Sequence, residues 1–136
     1  RSPSEMVGVI RNQNIRLGGI DGQIAYHVNP PPPEQIVSKL HELCNNWNER
    51  LNIERSRDVD LLEIAQFHSK FLQIHPFLDG NGRVARSIMM QQLLDIFGNA
   101  DMTLLNKGAK YYEALRAADG DNFDQLIDII KPIVSI

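Results

Sequence analysis

The segment 75–82 constrains the fold most strongly, because it interrupts two long apolar stretches with one proline and two glycines. The ring of Pro76 disfavours helical backbone at His75, so a helix over residues 59–74 should end there. A second helix, over residues 81–97, should begin at the glycines. Apolar residues cover more than one face of both stretches, which predicts that both helices are largely buried.

The same segment carries side chains suited to a phosphate ligand. At the end of a rigid helix, His75 is well placed to act as a base, and Asp79 offers a hard oxygen ligand for magnesium. The glycine turn opens a helix whose unpaired N–H groups attract anions. Arg83 and Arg86 lie three residues apart, share one helix face, and can each bind phosphate oxygens with two hydrogen bonds.

Each of these residues also has a purely structural interpretation. A lone histidine is more often structural than catalytic, the two arginines could form surface ion pairs, and the glycines could simply shape a turn. All of these interpretations must hold together to remove the site. Phe77 is different, because we expect it to anchor the segment to the core even if the site is real.

Residues 75–86 read HPFLDGNGRVAR and fill every specified position of H-x-F-x-[D/E]-G-N-G-R-x-x-R, the pattern of the Fic family. With residue frequencies of roughly one in twenty, a chance match in this chain is on the order of one in 10^8. The chain resembles Fic domains from about Arg11 onward. The resemblance implies one mainly α-helical domain over residues 1–136, a Fic-type helical bundle with a short β-hairpin flap preceding the core helices.

The resemblance also implies an activity, protein adenylylation, in which AMP passes from ATP to a Ser, Thr or Tyr hydroxyl of a target protein and pyrophosphate leaves. His75 would take the proton of that hydroxyl, and Asp79 would hold Mg²⁺ against the α- and β-phosphates. The remaining motif residues would bind phosphate: Gly80, Asn81 and Gly82 as an anion hole, and Arg83 and Arg86 at the β- and γ-phosphates.

Residues 13–28 alternate apolar and polar side chains around two glycine turns, which predicts a β-hairpin. In Fic proteins a hairpin flap at this position covers the nucleotide and aligns the target segment by strand addition. By similarity, the candidates that line the nucleotide site here are Leu17, Gly18, Gly19 and Ile20. Tyr111 and Tyr112 are either packing residues or, as in many Fic proteins, face the adenine end of the nucleotide.

Three further helices are predicted, and a proline-rich connector over residues 29–34 leads into the first of them. The helix after it carries an apolar stripe at helical spacing, namely Ile36, Leu40, Leu43, Trp47 and Leu51. The other two should cover residues 106–118 and 122–133, with Phe123, Leu126, Ile127 and Ile130 inward. Asp58 or Asp60 should cap the helix that leads to the motif.

Composition limits the function classes. A length of 136 residues suits one domain, and a net charge of −3 without a basic cluster argues against nucleic-acid binding. The chain has no apolar run of transmembrane length and no signal peptide, so we expect no membrane partner and a cytoplasmic location. Cys44 is the single cysteine and is expected in the core, and His68 is expected to be a satisfied core histidine.

Regulation and alternative activities follow from the resemblance. Many Fic proteins are inhibited by a helix with the pattern [S/T]-x-x-x-E-[G/N], whose glutamate would pair with Arg86, and this pattern is absent here. The chain begins at Arg1, so we expect a fragment whose inhibitory helix lies upstream or on an antitoxin-like partner. Transfer of UMP or phosphocholine, AMP removal, and nucleotide binding without turnover remain alternatives. Doc-like phosphorylation is disfavoured, because that branch usually has lysine where Gly82 stands.

Overall fold

The computed structural model describes residues 9–15, 30–50 and 53–135, and these residues form five α-helices. In chain order they are α1 (Ile36–Glu49), α2 (Arg57–Ile74), α3 (Asn81–Phe97), α4 (Ala109–Asp119) and α5 (Asp124–Ile130). Short 3-10 helices precede α1 (Pro33–Gln35), follow α3 (Met102–Leu104) and follow α5 (Lys131–Ile133). The mainly α-helical prediction is confirmed. Within the described residues, no helix combines the length and apolar character that crossing a membrane requires.

The central element is α2, which packs against α1, α3, α4 and α5. Its buried side chains therefore point in several directions, as the prediction from its apolar pattern required. Leu61, Ile64 and Ala65 are at most 1% exposed. Burying each leucine or isoleucine side chain stabilises the fold by about 1.5–3 kcal/mol. This packing makes α2 a rigid support for whatever follows its last turn.

The start of α2 differs from the prediction. Ser56 is the N-cap, since its Oγ accepts a hydrogen bond from the Val59 N–H at 3.3 Å, and the helix begins at Arg57. Asp58 and Asp60 instead lie in the first turn, where their charges favour the positive end of the helix dipole. Asp60 is unavailable as a cap because its carboxylate pairs with the buried guanidinium of Arg50.

One side of α1 packs against α2 through the predicted apolar stripe. Ile36 and Leu43 are buried, and Leu40 and Trp47 pack against the core while half-buried; Leu51 lies outside the described residues. The prediction that Cys44 is a core residue is wrong, because its side chain is exposed. A helix turns by about 100° per residue, so Cys44 lies at the edge of the stripe, beyond Leu40, where its side chain is exposed.

The bounds of α3 agree with the prediction, and the helix ends at Gly98 in the left-handed conformation (φ 80°). The prediction that this helix is buried on more than one face is wrong. Ala85, Met89 and Leu93 are buried, whereas three other apolar side chains are 36–37% exposed: Val84, Met90 and Leu94. The reason is its position, because α3 packs chiefly on α2, and the other described elements leave its outer side uncovered.

The last two helices are shorter than predicted. The Asn106 side chain accepts the Gly108 N–H at 2.9 Å, which forms a turn that delays α4 until Ala109. The regular α-helical part of α5 ends at Ile130, and a 3-10 helix containing Pro132 continues to Ile133. The inward positions agree with the prediction: Phe123, Leu126 and Ile130 are buried, and Ile127 is half-buried.

His68 links α2 to α4 and should make stability depend on pH. Its side chain is 1% exposed, so the predicted core position is confirmed. Nε2 lies 2.6 Å from the Tyr111 hydroxyl, but Nδ1 is buried without a hydrogen-bond partner among the described residues, so the histidine is satisfied at one nitrogen. Burial, together with the charge of Arg86, lowers the pKa of His68 to about 4. Between pH 4 and 6.5, His68 therefore binds a proton in the unfolded chain but not in the folded protein.

We expect the free energy of unfolding to decrease by up to about 3 kcal/mol as the pH falls from 6.5 to 4. Urea denaturation at pH 7 and pH 4 measures this loss. His68→Gln should remove most of the histidine's share, because glutamine does not titrate. His41→Gln, at an exposed histidine, should leave the pH dependence unchanged. Equal pH dependence in wild type and His68→Gln would contradict the assignment.

Candidate active site

His75 ends α2 in the left-handed conformation, with φ 49° and ψ 63°. Its N–H donates to the Phe71 carbonyl at 3.1 Å, which closes the last turn. Left-handed backbone costs a non-glycine residue roughly 1–2 kcal/mol, so surrounding contacts must hold it there. The predicted end of the helix before Pro76 is confirmed, and the left-handed residue turns the backbone out of the helix path.

The imidazole of His75 is half-buried. Burial lowers the pKa of His75, and the nearby positive charge of Arg11 lowers it further. Both effects disfavour the imidazolium ion, so the ring is neutral near neutral pH. A neutral imidazole at the end of a rigid helix can accept a proton, as a general base must.

Arg11 contacts this helix end and was not singled out by sequence reasoning. Its backbone N–H donates to the Pro76 carbonyl at 2.9 Å. Its guanidinium donates to four carbonyl oxygens, those of His75 (2.7 Å), Ile74 (3.2 Å), Gln13 (2.9 Å) and Pro31 (2.6 Å). The residue is 2% exposed. A single arginine in an irregular segment has no periodicity that would reveal such contacts.

The motif loop, residues 76–80, is braced by Asn81. The Phe77 N–H donates to Asn81 Oδ1 at 2.9 Å, and Asn81 Nδ2 donates to the Phe77 carbonyl at 2.8 Å. Phe77 also packs against the core, as expected of an anchor, and forms an antiparallel bridge with Ile10. The Asn81 side chain thus shapes the loop, which leaves its backbone N–H as the group that could face a ligand.

The N-terminus of α3 has the features of an anion site. Gly80 precedes it in the left-handed conformation (φ 85°), and no side chain caps the helix. The Val84 N–H donates to the Gly80 carbonyl at 3.0 Å. The N–H groups of the three preceding residues therefore have no acceptor within the helix. Such groups, together with the helix dipole, favour a bound anion.

Both motif arginines fold back towards this N-terminus. A Cβ atom placed on Gly80 would lie 3.1 Å from Arg83 Nη2, and one on Gly82 would lie 2.8 Å from Arg86 Nη1. The glycines thus leave room for two guanidinium groups. Arg83 is exposed and Arg86 is half-buried. The charge of Arg86 acts on the buried Tyr111 hydroxyl, so the Arg86 side chain also lies near the core.

A pocket of about 390 Å³ adjoins the two arginines. Its lining within the described part of the chain includes three cationic side chains and no carboxylate, with apolar side chains and one serine beside them: Arg83, Arg86, Lys107, Ser87, Met90, Met102 and Leu105. Lys107 was not predicted, because it lies in a loop outside the motif. A second pocket, of about 460 Å³, lies between α1 and α2 and contains none of the residues 75–86.

The two tyrosines occupy different positions. Tyr111 is 2% exposed and hydrogen-bonded to His68, and burial raises its pKa to about 12, so its hydroxyl stays protonated. Tyr112 is half-buried, with its ring centre 5.5 Å from that of Tyr111. Leu17, Gly18, Gly19 and Ile20 lie outside the described residues, as does most of the predicted hairpin, and residues 13–15 form no strand.

Asp79 is the motif's carboxylate and is exposed. No group of three or more metal-ligating side chains occurs among residues 9–15, 30–50 and 53–135. Magnesium accepts one or two carboxylates when phosphate oxygens and water complete its six positions. The exposed side chain of Asp79, at the edge of an uncapped helix N-terminus, fits a magnesium ion that is shared with a phosphate ligand.

Asn81 provides a stability prediction for the motif loop. Asn81→Ala removes two hydrogen bonds and leaves the Phe77 backbone groups without these partners, so the free energy of unfolding should decrease by about 2 kcal/mol. Urea denaturation measures the loss. Asn99→Ala also removes side-chain bonds to a backbone, but at the exposed Ser135, and should cost less. Equal losses would contradict the bracing role.

Comparison with known proteins agrees with this geometry. A sequence profile of the Fic/DOC family matches residues 2–93. A probable protein adenylyltransferase of Aquifex aeolicus is 40% identical over 89 residues, which cover 65% of this chain and 26% of that protein. Protein adenylyltransferase Fic of Drosophila persimilis is 32% identical over 117 residues, covering 84% and 20%. The chain thus spans about a quarter or less of these relatives.

Two solved structures share the fold. The N-terminal Fic domain of a putative cell filamentation protein from Bartonella quintana, with bound ADP, has a TM-score of 0.71 at 26% identity, covering 95% of this chain and 64% of that one. BepC from Bartonella tribocorum, with bound AMPPNP, has a TM-score of 0.70 at 23% identity, covering 95% and 65%. With the family match over most of its length, this chain belongs to the Fic/DOC family.

Proposed function

We propose that this domain is a protein adenylyltransferase that transfers AMP from ATP to a Ser, Thr or Tyr hydroxyl of a target protein. One observation carries the proposal: the neutral imidazole of His75 and the uncapped N-terminus of α3 stand at the two ends of a five-residue loop. Relatives named protein adenylyltransferase, and Fic structures with bound AMPPNP or ADP, support it.

His75 acts as the general base in this proposal. The target hydroxyl gives its proton to the imidazole while its oxygen forms a bond to the α-phosphorus of ATP. The bond from that phosphorus to the α,β-bridging oxygen breaks, and pyrophosphate leaves with the electron pair. Catalysis of this kind depends mainly on positioning and charge stabilisation, with the base orienting the nucleophile.

The phosphates are proposed to lie at the N-terminus of α3. Backbone N–H groups of Asn81, Gly82 and Arg83 form the anion hole, with Gly80 turning the chain into it. Arg83 and Arg86 bind the β- and γ-phosphates through their guanidinium groups. Lys107 lines the same pocket and adds a third positive charge. This cation cluster compensates for the negative charge of a nucleoside triphosphate in a chain whose own net charge is −3.

Magnesium is proposed to be held by Asp79 together with phosphate oxygens. When bound, it would neutralise charge on the α- and β-phosphates. Leu17, Gly18, Gly19 and Ile20 are proposed to line the nucleotide site from a hairpin flap that also aligns the target. Tyr112 is the better placed of the two tyrosines to meet the adenine, since Tyr111 is buried against His68 and Arg86.

The proposed domain organisation is a single Fic domain over residues 1–136 that belongs to a longer protein, and its proposed location is cytoplasmic. Among the described residues, ion pairs join Arg50 to Asp60 and Glu63, and Arg55 to Glu63, and none involves Arg86. An inhibitory glutamate, from an additional helix or an antitoxin-like partner, would therefore reach Arg86 from outside the described residues.

Labelled ATP tests the activity. With Mg²⁺ and α-labelled ATP, the protein should label itself or added protein substrates, and γ-labelled ATP should give no label. His75→Ala should lower labelling at least about 100-fold, because general bases contribute 10²–10⁴-fold. His41→Ala, at an exposed histidine on α1, is the control.

Other results would assign another activity. Label from the γ-position would indicate a kinase, and ATP binding without label would indicate a nucleotide-binding regulator. Label from UTP or from a phosphocholine donor in place of ATP would indicate transfer of another phosphate-containing group. Release of AMP from a pre-labelled target would indicate the reverse reaction.

Gly82→Ala should separate activity from stability. The new Cβ would meet Arg86 Nη1 at 2.8 Å, so the guanidinium must move away from the anion hole. Because alanine favours helix more than glycine does by up to about 1 kcal/mol, the free energy of unfolding should stay equal or increase. We expect labelling to fall about tenfold or more.

Gly120→Ala is the matched control for this variant. The added Cβ there meets only the Ala117 carbonyl, at an ordinary 3.6 Å. It should leave labelling unchanged. Full labelling by Gly82→Ala, with the melting temperature measured in parallel, would show that the position of the Arg86 head does not matter for ATP use.

A further inference from the structure

We propose that Arg11 is a positioning residue for His75. Its guanidinium ties the C-terminal end of α2 to two other segments and thereby holds the imidazole where it can act as the base. The inference rests on the proposed function of His75 as the base. Arg11 lies outside the motif, 64 residues before His75. Nothing in the pattern of residues 75–86 assigns it a role.

The Arg11 guanidinium lies at the C-terminal end of α2. The last carbonyl groups of an α-helix have no N–H partner within it and form the negative end of its dipole. Arg11 donates to two of them, Ile74 at 3.2 Å and His75 at 2.7 Å. The planar guanidinium fixes the direction of both bonds. It therefore constrains the peptide groups on each side of the left-handed His75.

The same side chain also contacts two segments outside α2. Arg11 also donates to the carbonyls of Gln13 and Pro31, and its backbone N–H donates to that of Pro76. The end of α2, the segment 9–15 and the proline connector thus meet at one guanidinium, and the Arg11 backbone adds a bond to the motif loop. A lysine has one nitrogen with three donors and cannot reproduce this fork.

Arg50 is another buried arginine of the described residues, and its partners differ from those of Arg11. Arg50 is 7% exposed and pairs with the carboxylates of Asp60 and Glu63, so its charge is neutralised. Arg11 is 2% exposed, and its described partners are carbonyl oxygens alone. Its positive charge therefore remains available to act on the neighbouring imidazole.

That charge has a measurable consequence. Burial lowers the pKa of His75 most, and the charge of Arg11 is the second cause. Other charged groups also stand on the elements around His75: Lys70 on α2, Asp79 in the motif loop, Arg83 and Arg86 on α3, and Glu34 in the connector. The positioning contacts and the electrostatic effect come from one side chain, and two substitutions separate them.

Arg11→Lys keeps the charge and loses the fork, whereas Arg11→Gln loses both. The matched controls are Arg50→Lys and Arg50→Gln, which disturb a buried arginine between α1 and α2. We would measure labelling rates per folded protein, KM for ATP, the pH profile of labelling, and the melting temperature. The His75 ring would be titrated by proton NMR without magnesium, with its signal assigned by its loss in His75→Gln.

For Arg11→Lys we expect kcat to fall about tenfold, KM for ATP to stay within about twofold, and the His75 titration to stay near that of wild type. For Arg11→Gln we expect kcat to fall about 100-fold. Its His75 titration and the acid limb of its pH profile should move to higher pH, because a positive charge near the ring is lost. The Arg50 variants should change the melting temperature alone.

Three results would overturn the inference. One is unchanged kcat in both Arg11 variants. Another is an unchanged His75 titration in Arg11→Gln. The third is unfolding of both Arg11 variants under conditions in which the Arg50 variants fold, since Arg11 would then be structural only. If wild type fails to label, the proposed function fails, while the His75 titration still decides the role of Arg11.

Discussion

The burial of α2 on several sides is the constraint on which the rest of the structure depends. Four other helices pack against this one element, and its side chains supply much of the core, including Leu61, Ile64 and Ala65. A helix held in this way cannot tilt without opening several interfaces. The residue at its C-terminal end is therefore fixed in space, and that residue is His75.

Two helix ends of opposite polarity meet at the site. The C-terminal end of α2 presents carbonyl oxygens, which attract a cation, and Arg11 occupies that place. The N-terminal end of α3 presents N–H groups, which attract an anion. Only the motif loop separates them, and Asn81 holds the loop closed with two hydrogen bonds to Phe77. The path of the backbone thus places a base and an anion site at the two ends of one short loop.

Charge is distributed unevenly among the arginines of the described residues. Arg50 and Arg55 pair with carboxylates on α2, where they join secondary elements. Arg11, Arg83 and Arg86 have no carboxylate within ion-pair distance in the described part of the chain. Of these three, Arg83 and Arg86 lie at the N-terminus of α3 and are available to a phosphate ligand. Arg11 is buried and donates to carbonyl oxygens, so its charge acts on His75 instead.

By itself, the sequence determined the features that depend on a few neighbouring residues. Pro76 restricts the backbone of His75, and the glycines permit the turn into α3, so the end of α2 and both bounds of α3 were predictable. The same local pattern identified the Fic family. The hairpin over residues 13–28 stays a prediction, because most of it lies outside the described residues.

Only the tertiary structure decided which side chains meet across the chain. Cys44 is exposed, Asp60 pairs with Arg50, and α3 is covered on one side, because burial depends on how helices pack rather than on local apolar content. His68 meets Tyr111 across 43 residues, and Arg11 meets His75 across 64. Contacts between such distant residues leave no periodic trace in the sequence, so folding alone brings Arg11 to the base.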